Sequence, residues 1–344
     1  MRHSRHEFTV LTLPPYKWKW RMRHAAVTFA EQVSGLVHEG RRWQAVFCTD
    51  MLNLAEFRGL CPPVIHGLPA IAYFHENQLT YPLRRDDPRD FHFAFTNMTT
   101  ALAADRVWFN SAFHRDEFLA AVADLAKRMP DYQPVAVASL ARSKSEIHHP
   151  GIEPWPARTS RPPGPMRILW VARWEHDKNP EMFFQALEHL RDRGVAFRLS
   201  VLGESFGDLP SCFAQARQSF ADSIDHWGYL PDREEFRTVL QTSDVVVSTA
   251  NHEFFGIAVV EAVAAGCYPV LPNRLAYPEV FGVESACLYD GTPAELVQRL
   301  VRLSAQAASG ELPSMASRLA AEMQRFHWSA VGRRLDAAVD ELVE

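Results

Sequence analysis

Apolar and polar positions alternate along this chain in two distinct periods. Short apolar runs occur at residues 8–13, 45–48, 70–74 and 106–109. They resume after Pro165 at 167–172, 197–202, 224–227, 245–249 and 268–271. Their length and their Val, Ile, Leu and Phe content predict buried strands. Between them, apolar positions recur every three to four residues at 25–38, 91–104, 112–128, 180–193, 209–221, 233–242 and 256–265, which predicts helices. Strands alternating with helices build parallel sheets covered by helices, so the fold class is α/β. The stretch PWPARTSRPPGP at 154–165 carries five prolines and no periodicity, and reads as a linker. It divides the chain into a first half, 1–155, and a second, 166–328, each suited to one Rossmann-like layer. Further helices are expected at 291–304 and 314–324. An amphipathic helix closes the chain at 329–344 and is expected to cross back onto the first half. No internal repeat or low-complexity tract interrupts the pattern.

Composition narrows the classes. A chain of 344 residues suits two domains, and 47% hydrophobic with 22% charged residues is ordinary for a globular protein. The net charge of −5 excludes a uniformly basic nucleic-acid binder, so any RNA contact must come from a local cluster. Five cysteines, widely spaced and without a C-x-x-C pair, fit neither a disulfide framework nor a zinc cluster. No apolar run reaches the ~18 residues of a membrane span. The run at 8–13 is shorter than the ~7–15 residue core of a signal peptide. A cytoplasmic enzyme is expected, with neither a membrane nor a protein partner.

In open α/β sheets ligands bind beyond the carboxyl ends of the strands, and two such sheets would share a cleft. The second half is rich in chemistry there. The strand at 167–172 runs into Arg173-Trp174-Glu175-His176-Asp177-Lys178-Asn179-Pro180. Asn179 and Pro180 form a good helix start, and Arg173 and Lys178 flank it. Cations beside free helix amides suit an anion such as a diphosphate, although surface charge on a loop would read the same way. After the strand at 245–249 comes Asn251-His252-Glu253-Phe254-Phe255-Gly256-Ile257, then a helix carrying Glu261. Gly256 lets backbone approach a ligand closely. Glu261 lies one turn after Ile257, with its side chain leaning toward the helix start. Glu253 and Glu261 are thus both aimed at whatever occupies the helix mouth, and a carboxylate can accept from two neighbouring sugar hydroxyls. No G-x-G-x-x-G or phosphate-loop motif occurs, which disfavours a dehydrogenase or a P-loop enzyme.

R-x4-K after the first strand of the second half, with E-x7-E beyond, resembles the GT-B glycosyltransferases of the family 4 type. The resemblance implies two Rossmann-like domains facing across a cleft. It also implies that Arg173 and Lys178 hold the donor diphosphate and that Glu253 lies by the transferred sugar. Glu261 would bind the nucleoside ribose. The backbone at Phe254, Phe255, Gly256 and Ile257 would contact sugar and phosphate, and Gly228–Tyr229 would face the nucleobase. No Asp-x-Asp pair occurs in the chain, and neither a metal nor another cofactor is expected.

The first half suggests an acceptor. The strand at 70–74 ends in His75-Glu76-Asn77-Gln78, a dense polar run at a strand end. By the same resemblance His75 contacts the donor sugar, although a lone His is more often structural. The run Lys17-Trp18-Lys19-Trp20-Arg21-Met22-Arg23 alternates with period two. If extended, it would show four cations on one face and Trp, Trp and Met on the other. Cations interleaved with aromatics suit a nucleic-acid backbone with exposed bases, and an amphipathic strand with its tryptophans in the core is the alternative. KWKWRMR, the AxxFAE pattern at 26–31, YFHENQLTYP, RWEHDKNP and HEFFGIAVVEA together resemble the tRNA-queuosine alpha-mannosyltransferase family. That resemblance implies retaining transfer of mannose from GDP-mannose to queuosine in tRNA(Asp). Lys17, Lys19, Arg21, Arg23, Glu76, Asn77 and Gln78 would then face the tRNA. Members of that family open with a strand and a Gly-rich turn ahead of the point where this sequence begins, so the first sheet is expected to lack its opening strand. Two other functions remain open: a family 4-like transferase acting on a saccharide or lipid, and a non-catalytic tRNA-binding relative.

Overall fold

The alternation of strands and helices folds into two parallel α/β units in this computed structural model, which describes residues 2–82, 90–131, 133–156, 158, 163–205, 209–283 and 285–344. One unit comprises Met1–His149 with Val331–Glu344, the other Pro150–Ala330. Part of the proline-rich stretch at 154–165 lies outside the described residues.

In the first unit the elements run α1 (Trp18–His38), β1 (Val46–Thr49), α2 (Leu54–Leu60), α3 (Pro63–His66), β2 (Ala70–Phe74), α4 (Phe91–Ala103), β3 (Arg106–Phe109), α5 (Ala112–Lys127), α6 (Val137–Ser143) and β4 (Ser145–Ile147). The strands pair in the order β1-β2-β3-β4, all parallel. One face of β2 presents Ala70, Ala72 and Phe74, and Phe74 packs against Phe109 and Phe118 with ring centroids 5.1 Å away in each case. Ala26 and Ala30 of α1, Leu54 of α2, Ala94 and Met98 of α4 and Leu119 of α5 join the same core.

The second unit contains β5 (Met166–Val171), α7 (Pro180–Asp192), β6 (Phe197–Leu202), α8 (Cys212–Ser219), β7 (Ile224–Gly228), α9 (Arg233–Thr242), β8 (Val245–Val247), α10 (Ile257–Ala264), β9 (Tyr268–Pro272), α11 (Tyr277–Phe281), β10 (Leu288–Tyr289), α12 (Pro293–Ser309) and α13 (Leu312–Glu322). Its sheet order is β10-β9-β8-β5-β6-β7. The chain leaves β5 toward one edge through β6 and β7, then returns to β8 on the other side of β5. The carboxyl ends of β5 and β8 are therefore neighbours at the point where the winding reverses, the place at which open α/β sheets bind ligands. The last helix, α14 (Trp328–Val343), begins in this unit, and its residues from Val331 onward cluster with the first. There Asp336 accepts from Ser4 Oγ at 2.5 Å and from the Arg5 amide at 2.8 Å.

Two sequence expectations give way. Residues 8–13 form no strand. Leu11 and Leu13 do pack on the core while Phe8 and Val10 face outward, so the alternation is real. The backbone pairs with no ladder, however, and Thr9 instead accepts from the Trp43 indole at 2.9 Å. Pro14 and Pro15 follow, with no amide to donate to a neighbouring strand. The run 17–23 is not extended either. Residues 18–23 are the first turns of α1, with Lys17 at its start (φ 52°). The buried positions Met22, Ala25, Ala26, Ala30 and Val33 recur at helical spacing, and this burial outweighs the period-two pattern of the run itself. The short strands β4 and β10, of three and two residues, carry too few positions to show a period.

Candidate functional site

The loops after β5 and β8 bring Arg173, Lys178 and Glu253 into one place. Gly203, at the end of β6, makes the first loop possible: a Cβ there would lie 1.8 Å from the Ala172 carbonyl oxygen. The loop then turns through a short 3-10 segment, His176–Lys178, and Asn179 takes a left-handed conformation (φ 51°) before Pro180 opens α7. Asn179 makes no side-chain cap hydrogen bond, so its value here is tolerance of positive φ rather than capping. Thr249 Oγ1 donates to the carbonyls of Lys178 and Asn179 at 2.9 and 3.0 Å, and the Asn251 amide donates to the Asp177 carbonyl at 2.8 Å. The two loops are stitched together before any ligand arrives.

Lys178 is buried, and its ammonium is held from three sides. It donates to the His252 carbonyl at 2.7 Å, lies 3.1 Å from Asp177 Oδ2 and 3.5 Å from Glu253 Oε2. Asp177 is only 4% exposed. Burial, and then the charge of Lys178, push the His252 imidazole down to about 4, so that ring is neutral near pH 7. Arg173 is exposed, with its guanidinium near enough to His252 to act on it electrostatically. One buried and one exposed cation thus stand at the mouth of the second loop.

Glu253 is about a quarter exposed and precedes Gly256, whose φ of 84° lies in the left-handed region. A Cβ at Gly256 would meet the Tyr277 ring at 2.9 Å, so both this clash and the left-handed φ close the position to a side chain. Tyr277 is anchored by a 2.7 Å hydrogen bond with Ser248 Oγ, and Tyr289 donates to the Ser248 carbonyl at 3.1 Å. Sequence reasoning did not single out these tyrosines, nor Arg274, which donates to the Ala250 carbonyl and to Asn251 Oδ1. They belong to α11, β10 and the turn after β9, far along the chain from the motif they support.

The remaining second-half candidates divide by exposure. Phe255 is buried, with its ring packed against Phe326, so its side chain belongs to the core. Ile257 is 44% and Tyr229 62% exposed. Glu261 is half-buried on α10; burial raises its pKa, against the opposing charges of Arg233 and Arg237. Among the described residues no group of three or more His, Cys, Asp or Glu side chains is arranged to hold a metal ion.

In the first unit, His75 stands at the carboxyl end of β2 with its Nδ1 2.6 Å from Asp50 Oδ1. Asp50, fully buried at the end of β1, also accepts from the His75 amide at 3.2 Å. Asn110 donates to the His75 carbonyl at 2.9 Å. Burial pulls the imidazole down, but the Asp50 carboxylate outweighs it and raises the ring to about 9. His75 is therefore an imidazolium at neutral pH, oriented by a residue that the sequence did not mark as part of the site. Asn77 corrects an expectation. It is fully buried, its Oδ1 accepts from the Leu79 and Thr80 amides at 3.0 and 2.9 Å, and it braces the loop instead of meeting an acceptor. Glu76 and Gln78 are partly exposed and hydrogen-bonded to each other at 3.0 Å.

The cations of α1 no longer share one face. Lys17 and Arg21 lie one turn apart, and Lys19 and Arg23 occupy the next flank. Arg23 pairs with Asp90 at 3.4 Å and sits over the Phe93 ring. Trp18 contacts Phe93, while Trp20 is 66% exposed, so the tryptophans are not core residues. No helix among the described residues is long and apolar enough to cross a membrane.

Residues 1–152 match the family model described as tRNA-queuosine alpha-mannosyltransferase N-terminal, and residues 152–320 match glycosyl transferases group 1. A Drosophila melanogaster tRNA-queuosine alpha-mannosyltransferase is 36% identical over 287 residues, 80% of this chain and 74% of that protein. A GDP-mannose-dependent alpha-(1-6)-phosphatidylinositol dimannoside mannosyltransferase of Mycobacterium tuberculosis is 31% identical over 140 residues, 40% of this chain and 35% of the relative. Among solved structures, a sucrose-phosphate synthase from Thermosynechococcus elongatus aligns with a TM-score of 0.70 at 16% identity, covering 96% of this chain and 80% of the other. Anabaena HepE in complex with UDP aligns with a TM-score of 0.66 at 15% identity, covering 91% and 82%. The fold is GT-B, and the chain is a glycosyltransferase. On its two family matches and its likeness to the Drosophila protein over most of both chains, it belongs to the tRNA-queuosine alpha-mannosyltransferase family.

Proposed function

We propose that this glycosyltransferase moves mannose from GDP-mannose to queuosine in tRNA(Asp), with retention and without a metal. The observation that carries the donor half is the buried Lys178 ammonium, fixed 3.5 Å from Glu253 at the neighbouring ends of β5 and β8, with Arg173 exposed beside it. A leaving diphosphate needs positive charge that is in position before the bond breaks, because charge organised in advance costs no reorganisation at the transition state. Lys178 supplies the buried part of that charge, and Arg173 the exposed part. Glu253 orients the transferred sugar and stabilises its oxocarbenium-like state. Glu261 takes the ribose hydroxyls, the backbone at Phe255, Gly256 and Ile257 takes sugar and phosphate, and Tyr229 stands by the base. The acceptor hydroxyl attacks the face from which the diphosphate departs, and its proton passes to the departing diphosphate oxygen. His75 keeps the role that the family resemblance implies, contact with the donor sugar, and it does so as a cation. On the acceptor side, Lys17, Lys19 and Arg21 are the available cations, and Glu76 and Gln78 the available polar groups. A tRNA acceptor makes the cytoplasm the working compartment.

The test is incubation with GDP-mannose and queuosine-containing tRNA, read by nucleoside mass spectrometry. The expected product is mannosyl-queuosine, and Glu253→Ala abolishes it while the circular dichroism spectrum is unchanged. Transfer to a saccharide or lipid with none to tRNA overturns the acceptor, and an active Glu253→Ala overturns the residue's role.

A further inference from the structure

The start of α1 carries an aromatic and cationic surface that the rest of the molecule does not use. Lys17, Trp20, Arg21 and His24 stand at i, i+3, i+4 and i+7, one stripe of the helix. The buried stripe, Met22, Ala25, Ala26, Ala30 and Val33, lies opposite. Trp20 is thus at the centre of the outward face, 66% exposed, and its ring contacts His24 at 5.2 Å between centroids. Just before it, Tyr16 is 70% exposed, with the Lys17 ammonium 5.2 Å from its centroid. The chain has no acidic residue between Glu7 and Glu31. Tyr16, Trp18 and Trp20, 70%, 38% and 66% exposed, put three aromatic rings at the surface within five residues, a cluster rather than a single exposed side chain. Beside this stripe, past Arg23, a polar hollow of about 400 Å³ opens between α1, α2 and α4, lined among others by Asn53, Glu56, His92 and Thr96. Its volume falls within the roughly 300–1,000 Å³ of small-ligand sites, and its carboxylate, amide, imidazole and hydroxyl suit the edge of a base. Asn53 and Glu56 follow β1 and His92 opens α4, so hollow and stripe stand at the same end of the sheet as Asp50 and His75.

We propose that the start of α1 is a single-stranded RNA platform on which Trp20 stacks an unpaired base, Lys17 and Arg21 hold the flanking phosphates, and the adjacent hollow receives the neighbouring base. The inference rests on the tRNA reading above and deepens it. It assigns the grip on nucleotides next to the modified one to residues outside the sugar-transfer chemistry. Stacking is tolerant of base identity, because every base has a π-face, so this platform holds a loop without reading its sequence.

The experiment measures binding of a fluorescein-labelled anticodon stem-loop transcript, unmodified, to the full chain and to Trp20→Ala, Trp20→Phe and Lys17→Ala/Arg21→Ala, with GDP-mannose affinity measured in parallel. Trp20→Ala is expected to weaken stem-loop binding roughly 5- to 150-fold, the range of one base–aromatic stack. Trp20→Phe should retain most of the affinity, and GDP-mannose affinity should be unchanged in all variants. Equal loss in Trp20→Ala and Trp20→Phe, or no loss in either, overturns the platform. Loss of binding to anionic phosphatidylserine vesicles with stem-loop affinity untouched also overturns it, in favour of a lipid surface. The two readings fail separately: transfer to tRNA with an unchanged KM in Trp20→Ala sinks the platform alone. Trp20-dependent binding without transfer sinks the mannosyl acceptor alone.

Discussion

At the scale of single residues, Lys178 and Arg173, the two cations proposed to hold the diphosphate, are built differently and respond differently to removal. Lys178 is buried against Asp177 and Glu253, so Lys178→Ala leaves a carboxylate buried without its partner. That loss should cost about 3–5 kcal/mol of stability in addition to donor affinity. Arg173 is exposed, and Arg173→Ala should weaken GDP-mannose binding with stability changed by less than about 1 kcal/mol. Urea unfolding and titration calorimetry separate the two; equal stability losses would mean that Lys178 is not held as described. His75 gives a pH signature. Its ring is raised to about 9 against an unfolded value near 6.5. The folded state therefore binds the extra proton between these values, and the contribution to stability is full below about 6.5 and lost as pH rises through 9. In Asp50→Asn the Asp50 carboxylate is gone and burial is opposed only by the charge of Glu76, so the ring should titrate well below 9. Proton NMR of the imidazole would show it, and an unchanged titration would remove Asp50 from its role. His252, held near 4, has the opposite sign: its contribution is lost as pH falls from about 6.5 toward 4.

Elements decide what these residues can do. Much of the strand and helix pattern was readable because each element is short, apolar on one face and bounded by Gly, Pro or a polar cap. β2, β3, β6 and α9 end where the pattern ends. The placement of R-x4-K and E-x7-E at strand ends was readable for the same reason, since each sits within one strand–loop–helix turn. What failed was the period of 17–23. A seven-residue run matched period two, but the burial that fixes α1 lies further on, at Ala25, Ala26, Ala30 and Val33. Gly203 shows the other limit. As one glycine after a strand it carried no signal, yet its Cβ would collide with the Ala172 carbonyl. Gly203→Ala must displace the ends of β5 or β6, and we expect at least a tenfold rise in the KM for GDP-mannose with a lowered urea midpoint. An unaltered KM would mean that the Arg173 loop does not depend on this close approach.

For the whole molecule, the net charge of −5 does not speak against the proposed tRNA acceptor, because Lys17, Lys19, Arg21 and Arg23 are grouped. If Lys17 and Arg21 each neutralise a phosphate of a single-stranded loop, Lys17→Ala/Arg21→Ala should lower the slope of log affinity for tRNA against log salt by roughly 1.4. A filter-binding series in salt measures it, and an unchanged slope would place the RNA contact elsewhere. The five cysteines are free thiols, four of them buried, and burial lifts Cys48 and Cys267 to about 12, which keeps these two protonated at neutral pH.

The sequence by itself determined the α/β class, the strand ends at which R-x4-K and E-x7-E lie, and the family. These are properties of local pattern, carried by residues that lie within one or two turns of each other. Tertiary structure alone decided which groups complete the site. Asp50 meets His75 across the β1–β2 pair, and Tyr277 and Arg274 brace the Glu253 loop from elements after β9. It also set the state of the charges: a fixed Lys178, an imidazolium His75, a neutral His252 and an outward Trp20. Burial and neighbouring charge set each of these, and both depend on which strands lie side by side rather than on which residues are adjacent in the chain.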